Sequence, residues 1–221
     1  ALEKLIKKLD DESWVVRHDT AIALGQLGGK GVNEELEKAL EKEDELEVKQ
    51  KIIEALGKVG DEKTVDFLER YKDDVKVVEE VVKTLGNLGS EKAVKILEEK
   101  VENGDKSTRE LSVKALSSIS SKESITALKR ALKDDSWRIR EEAAVILGDM
   151  DAEKARNDLI DLLNDDSDYV IEAALKSLGK IGDKELIHQI QEKLFSEKSS
   201  IRSSAVEALG SIEDEKSIEI L

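Results

Sequence analysis

Cysteine and proline are absent from this chain, and aromatic residues make up only 3% of it. The lack of cysteine excludes a disulfide framework and thiolate chemistry. Because there is no proline, no helix is obliged to kink or stop for want of a backbone N–H. Since aromatic side chains are scarce, leucine, isoleucine, valine and alanine must fill most of the core.

Long apolar runs and grouped histidines are missing as well. No stretch approaches the roughly 18 consecutive apolar residues of a membrane span, and residues 1–9 predict an amphipathic helix rather than a signal peptide. We therefore predict a soluble, cytoplasmic protein without a membrane partner. The only histidines, His18 and His188, stand too many repeats apart to share a metal ion, and no phosphate-binding glycine motif is present. No metal or cofactor is predicted.

Positive charge is also in deficit. Aspartate and glutamate number 51 against 36 lysines and arginines, so the net charge is −15. Binding to nucleic acid depends on lysine and arginine neutralising phosphates, and no long basic run offsets the acidic total. We therefore exclude nucleic acid as a partner.

What the sequence does contain is a Leu-Gly pair that returns about every 31 residues. At one position of the series serine replaces the glycine, and the pair reads Leu116-Ser117. We call the leucines of these pairs the anchor leucines. The anchor leucines are Leu24, Leu56, Leu85, Leu116, Leu147, Leu178 and Leu209. Self-similarity at this period predicts a solenoid whose stacked repeats share one core. The repeats span approximately 1–30, 31–61, 62–90, 91–121, 122–152, 153–183 and 184–214, with a partial one at 215–221.

The fifth repeat shows the predicted unit most clearly. Leu128 and Leu132 lie on one face of a first helix, and Ser136 stands where an N-cap would begin a second helix. Leu147 belongs to the apolar stripe of that second helix, and Gly148 lies inside it. A glycine within a helix costs up to about 1 kcal/mol, so its recurrence predicts a neighbouring helix that packs too closely for a side chain.

The motifs of this repeat carry a family resemblance. Asp134-Asp-Ser-x-x-Ile-Arg140 is followed by Ala143-Ala-x-x-Leu-Gly148, and Leu178-Gly-Lys-Ile-Gly-Asp183 ends a later second helix. These motifs resemble the HEAT family, specifically the short HEAT-like repeats first noted in phycocyanobilin lyases, and the resemblance covers the whole chain. It implies an all-α, right-handed α-α superhelix of the HEAT/armadillo type, forming a single domain over 1–221. The repeats then correspond to seven helix pairs plus part of an eighth.

The resemblance also implies a polar ladder between repeats. In HEAT-like solenoids a turn aspartate and a second-helix arginine six residues later often pair, and Asp11/Arg17 and Asp134/Arg140 match that spacing. We interpret these arginines as structural, because paired charges at the junctions would fix the register of the repeats.

Enzymes of the family are less compatible with the residues present. The resemblance implies several His-Glu pairs for a di-iron deoxyhypusine hydroxylase, and this sequence has no His-Glu dipeptide. A tetrapyrrole site would require clustered aromatics and a positive clamp, and the sequence shows neither. We predict a non-enzymatic protein-binding scaffold or adaptor that holds a protein or peptide in a concave groove lined by second helices. The alternative is a regulatory or lyase-like accessory subunit that acts on a cofactor-bearing protein.

The predicted groove face carries a glutamate column beside a lysine column. Three i,i+4 pairs should make that face largely self-neutralising: Glu79–Lys83, Glu110–Lys114 and Glu172–Lys176. The glutamate and lysine columns are interrupted in repeats one and five. We place candidate binding residues there, since binding hot spots are rich in tryptophan, tyrosine and arginine. The candidates are Trp14, His18 and Ile22 in one group, and Trp137, Arg138, Glu141, Val145 and Tyr169 in the other. The alternative is that each tryptophan packs over its turn as core.

The last residues continue the periodicity. Ile218 and Leu221 align with Leu2 and Leu5, which predicts the start of an eighth repeat. From this we expect the chain to be part of a longer solenoid.

Overall fold

The computed structural model describes residues 2–150 and 153–212, and within these ranges all regular structure is helical. Fourteen α-helices are described. They are α1 Leu2–Ile6, α2 Trp14–Leu27, α3 Val32–Lys42, α4 Leu46–Val59, α5 Glu62–Leu68, α6 Val78–Leu88, α7 Glu91–Asn103, α8 Lys106–Ser117, α9 Lys122–Ala131, α10 Trp137–Asp149, α11 Arg156–Asp161, α12 Asp168–Ile181, α13 Ile187–Glu192 and α14 Ser199–Ser211. They form seven consecutive pairs, which confirms the all-α solenoid. Ile218 and Leu221, and with them the partial eighth repeat, lie outside the described residues.

The chain divides into two compact units, residues 1–119 and 120–221. The division falls within two residues of the predicted boundary between the fourth and fifth repeats. In the first unit α2 packs on α4, α4 on α6 and α6 on α8, and in the second unit α10 packs on α12 and α12 on α14. The second helices of successive repeats therefore form the more closely packed layer of each unit. The single domain over 1–221 remains a prediction.

The anchor leucines form the centre of this packing. All seven are completely buried. Burying one leucine side chain contributes roughly 1.5–3 kcal/mol relative to an exposed one. The column that the periodicity singled out is therefore the core, as predicted.

The recurring glycines mark places where neighbouring second helices approach most closely, as predicted. A Cβ atom on Gly148 would lie 2.8 Å from the Cα atom of Ser177, and one on Gly179 would lie 2.8 Å from the Cα atom of Ala208. The contacted residue always precedes the next anchor leucine. The same relation joins Gly25 to Ala55, Gly57 to Thr84 and Gly86 to Ala115. At Gly25, Gly86, Gly148 and Gly179 glycine is needed because backbone atoms of the next helix occupy the space, whereas at Gly57 the neighbouring atoms belong to side chains.

The arginine ladder exists, but its carboxylates come from a different place than predicted. Arg140 Nε and Nη2 each donate to an Asp165 carboxylate oxygen at 2.7 Å, and Asp165 belongs to the following repeat. From its own turn Arg140 Nη1 uses the backbone carbonyl of Asp134, at 2.8 Å. Arg17 does the same with Glu43 and with the carbonyl of Asp11. The predicted Asp11–Arg17 carboxylate pair is wrong, whereas the role of Arg17 and Arg140 in joining repeats follows from this geometry.

The aspartates of these turns have another task. The Asp134 carboxylate accepts a hydrogen bond from the Ser136 backbone N–H at 2.8 Å, and Asp11 accepts one from Ser13 at 3.1 Å. Ser136 occupies the N-cap position of α10, but its hydroxyl makes no capping hydrogen bond. The prediction that Ser136 caps the helix through its side chain is therefore wrong. An aspartate two residues earlier orders the turn instead.

The ladder makes stability depend on pH. The hydrogen bond from Arg17 lowers the pKa of Glu43, burial opposes this, and the backbone N–H groups of Glu45 and Asp44 lower the pKa further. A carboxyl whose pKa is lowered on folding contributes stability above its unfolded pKa, and that stability is lost as the pH falls through the folded value. Below about pH 5 the free energy of unfolding should therefore fall. In Glu43→Gln it should fall less steeply.

Urea unfolding at a series of pH values measures this effect. Glu62→Gln, at an exposed carboxylate, is the matched control and should keep the pH dependence of the original protein. Identical pH profiles for Glu43→Gln and the original protein would contradict the assignment.

Candidate functional site

Four predicted site residues lie along one side of α10. Trp137 is the first residue of that helix, Glu141 lies one turn later and Val145 another turn later. Arg138 lies on the same side of the helix, because it precedes Val145 by seven residues, which is about two helical turns. Val145 is a β-branched apolar residue, yet it is 38% exposed. The fifth repeat therefore presents an apolar position where most other repeats carry a charged side chain.

The fifth predicted residue, Tyr169, completes the group from the next repeat. Its ring stacks on Trp137 with centroids 4.9 Å apart and an interplanar angle of 19°, and the Arg138 guanidinium lies 5.3 Å from the Trp137 ring centroid. Tyr169 lies in the first turn of α12 and remains 59% exposed. We call Trp137, Arg138 and Tyr169 the aromatic cluster. It joins two successive repeats at the surface.

Glu141 stands in an unusual electrostatic environment beside this cluster. Burial raises the pKa of its carboxyl, the negative charges of Glu142 and Glu172 raise it further, and Arg138 and Lys176 act in the opposite direction. Within the described residues, the Glu141 carboxylate has no hydrogen bond and no ion pair within 4.0 Å. The carboxylate is thus partly dehydrated and lacks a partner of opposite charge in direct contact.

The i,i+4 pairs that were to neutralise this face are not formed. Among the described residues, none of Glu79–Lys83, Glu110–Lys114 and Glu172–Lys176 makes an ion pair within 4.0 Å. Lys83 Nζ instead approaches Glu80 at 3.3 Å, Lys106 Nζ approaches Glu110 at 3.9 Å, and Glu79 accepts a 3.3 Å hydrogen bond from the Ser107 hydroxyl of the next repeat. The prediction is wrong, and for Glu79–Lys83 and Glu110–Lys114 the reason is that groups on neighbouring turns or on the next helix compete with the i,i+4 partner.

The other predicted group lies on α2 alone. Trp14 is 48% exposed and meets the His18 ring edge-on with centroids 6.4 Å apart, while Ile22 is half-buried one turn further along. His18 Nδ1 lies 2.9 Å from an Asp19 carboxylate oxygen. The alternative that each tryptophan is core is wrong for Trp14, and Trp137 is only half-buried against an exposed tyrosine.

One aromatic group escaped the sequence reasoning. On the first-helix side of the third repeat, the Arg70 guanidinium lies 4.2 Å from the Phe67 ring centroid, and Tyr71 packs on Phe67 at 5.6 Å. Arg70 also donates to Glu41 at 2.9 Å. The i,i+3 and i,i+4 spacing of these residues was the available signal. Because the Arg70 charge is paired with that of Glu41, we interpret this aromatic group as packing and not as a binding surface.

A metal site is absent from residues 2–150 and 153–212, because no set of three or more histidine, aspartate or glutamate side chains there could hold a metal ion. None of the helices described there is both long and apolar enough to cross a membrane. A surface cavity of about 490 Å³ between α1 and α3 is lined by residues such as Lys7, Glu34 and Lys38, and by none of the predicted site residues.

This architecture is similar to that of known proteins. A family model described as HEAT repeats matches residues 2–79, 99–178 and 157–221. No curated protein sequence matches the chain. Solved structures match the chain at low identity. One of them is the Escherichia coli protein YibA, with 19% identity and a TM-score of 0.63 over 99% of this chain and 84% of that one.

Two further structures are similar in fold. One is the complex of CpcE and CpcF of phycocyanin lyase from Nostoc sp. PCC7120, with 22% identity and a TM-score of 0.55 over 100% of this chain and 92% of that one. The other is a designed armadillo repeat protein in complex with the peptide (KR)4, with 18% identity and a TM-score of 0.53 over 96% of this chain and 99% of that one. At these identities the similarity shows the fold alone.

Proposed function

Since the chain belongs to the HEAT-repeat family, we propose that it is a non-enzymatic protein-binding scaffold that holds a protein or peptide segment on its second helices. The observation that carries the proposal is the aromatic cluster, which stays exposed although its rings stack across two repeats. The main contact is formed by the aromatic cluster together with Glu141 and Val145.

The composition of this surface supports a protein partner. Binding energy at protein interfaces is concentrated in tryptophan, tyrosine and arginine that lie within a polar surround. Here all three residue types meet, a half-buried carboxylate flanks them, and an exposed valine extends the apolar area by two helical turns. A self-contained structural cluster would have its rings covered, whereas Tyr169 keeps more than half of its surface open to solvent.

The α2 group is a smaller surface of the same kind. Trp14, His18 and Ile22 belong to a single helix, and no second repeat contributes a ring to them in the described structure. We therefore propose it as a second, separate contact surface of the first unit for a protein or peptide segment.

Similar structures are compatible with the proposal. The designed armadillo repeat protein was solved in complex with a peptide, and a stack of helical repeats is thus able to hold an extended chain. The similarity to phycocyanin lyase is one of fold, so we argue for the scaffold and not for a role in chromophore attachment.

A peptide-display selection against the full chain tests the proposed site. We expect Val145→Glu to weaken the selected peptides by at least about tenfold, because it places a charge where apolar contact is made and adds to the negative charge of Glu141. Affinities measured by fluorescence anisotropy check this.

The chain offers a matched control for that substitution. Val75 is 86% exposed and lies in the turn before α6, away from the second-helix face of the fifth repeat. Val75→Glu adds the same charge and should leave affinity unchanged. Equal binding by the original protein and Val145→Glu would reject the proposed site.

A further inference from the structure

The exposed ring of Tyr169 is the most accessible aromatic surface of the second unit's second helices. One face of the ring is covered by Trp137. The next second helix, α14, begins with Ser199 and Ser200 at the corresponding level, and these small side chains leave Tyr169 59% exposed. A flat ring with one free face is a platform for a planar or cationic group of a partner.

The platform already holds one guanidinium. Arg138 lies over the Trp137 ring at 5.3 Å, on a side chain that is itself exposed. This arrangement shows that a guanidinium is compatible with the local charge, and it leaves Tyr169 without a cation of its own among the described cation–π contacts.

Two carboxylates belong to the same two helices as the stacked rings. Glu172 follows Tyr169 by three residues and Glu141 follows Trp137 by four, which places each about 4.5–6 Å further along its helix. Within the described residues neither carboxylate makes a hydrogen bond or an ion pair within 4.0 Å. In the first unit the equivalent glutamates Glu79 and Glu110 do have such neighbours, a serine hydroxyl and a lysine.

We propose that this surface, Tyr169 with Glu141 and Glu172, binds an arginine side chain of the partner segment. The guanidinium packs on the exposed Tyr169 ring, and its N–H groups donate to the two carboxylates. The inference rests on the proposed protein-binding function and names the partner's chemistry at one position. Charge complementarity supports it, because the carboxylates of Glu142 and Glu172 lie near enough to Glu141 to raise its pKa.

Arginine fits better than lysine for a geometric reason. A guanidinium is planar, stacks on aromatic rings and presents several fixed donors, so it can use a ring and two carboxylates at once. An ammonium group is a compact, strongly hydrated charge that gains less from the ring. The surface should therefore discriminate between these two cations and not merely attract positive charge.

The test uses the full chain and fluorescein-labelled peptides of alternating Arg-Ser, Lys-Ser and Gln-Ser sequence. Fluorescence anisotropy should show the arginine peptide binding more tightly than the lysine peptide and the glutamine peptide binding least. Tyr169→Ala should weaken the arginine peptide by about 3–30-fold and the lysine peptide less. The double variant Glu141→Gln/Glu172→Gln should weaken both and reduce the dependence of affinity on salt concentration.

Matched variants in the first unit serve as controls. Tyr71→Ala removes another half-buried ring, one that belongs to the group interpreted as packing, and Glu79→Gln/Glu110→Gln removes the equivalent carboxylates; both should bind the arginine peptide as the original protein does. Equal affinity for arginine and lysine peptides, or binding that Tyr169→Ala leaves unchanged, overturns the inference. If display-selected peptides still lose affinity with Val145→Glu in that case, the scaffold function stands and only the arginine assignment falls.

Discussion

Replacing Arg140 with methionine is expected to lower the free energy of unfolding by about 3–5 kcal/mol. Arg140 and Asp165 are only 12% and 8% exposed, and the guanidinium makes two 2.7 Å contacts to that carboxylate. Methionine keeps much of the apolar stem but leaves the carboxylate buried without its cation. Denaturant unfolding followed by circular dichroism measures the change.

A comparable pair on the surface provides the control. Lys180 also pairs across repeats, with Asp149, but the two side chains are 52% and 58% exposed. Exposed ion pairs contribute about 0–1 kcal/mol, so Lys180→Met should change stability little. If both variants lost the same small amount, the ladder would not be a determinant of repeat register.

Gly148→Ala is expected to destabilise the protein by about 1–3 kcal/mol, against the usual effect of that substitution. In an exposed helix, alanine in place of glycine stabilises by about 0.5–1 kcal/mol. Here the new Cβ would lie 2.8 Å from the Ser177 Cα atom, so α10 and α12 must move apart. Thermal or urea unfolding gives the sign directly.

Gly210→Ala isolates the helix propensity from the packing. Gly210 also follows an anchor leucine, but among residues 2–150 and 153–212 a Cβ atom there meets no atom within 4 Å, so alanine should stabilise by about 0.5–1 kcal/mol. Adding Ser177→Gly to Gly148→Ala should recover part of the loss. A stabilising effect at both glycines would contradict close packing as the reason for the recurring Leu-Gly pair.

These two contacts have a functional consequence, because Gly148 joins α10 to α12 and Arg140 joins α10 to the turn that leads into α12. The same two helices carry the stacked rings of Trp137 and Tyr169. The ladder arginine and the close glycine contact therefore hold the two halves of the proposed binding surface in register. In a repeat protein each interface between neighbours contributes separately to stability, so this junction can be tested without assumptions about the rest of the chain.

The sequence was sufficient for the parts of the structure that repeat. The anchor leucines are buried and the glycines lie at close approaches because each position has the same neighbours in successive repeats. The ladder carboxylates were misplaced because spacing within one repeat does not reveal whether Arg140 meets Asp134 or an acid of the next turn. The Ser136 cap was wrong because Asp134 competes for the same turn, a choice that depends on local backbone geometry.

The sequence predicted which residues form the candidate site, but it did not predict which of their side chains touch. Trp137 and Tyr169 stood out as rare residues at neighbouring positions of the repeat, but their stacking depends on the rotation of α12 against α10. Burial and exposure were equally compatible with the position of Trp14. The expected ion pair between Glu79 and Lys83 failed because the i,i+4 argument did not include Glu80 on the same helix or Ser107 on the next one.

The indole N–H signals of the two tryptophans test the central claim most directly. In a ¹⁵N-correlated NMR spectrum of the full chain, the signals of Trp14 and Trp137 are assigned by single substitutions, and a display-selected peptide is then added to saturation. The account predicts that the Trp137 signal shifts or broadens as the peptide binds. A Trp137 signal that stays unchanged at saturation would contradict the placement of the binding surface on α10 and α12.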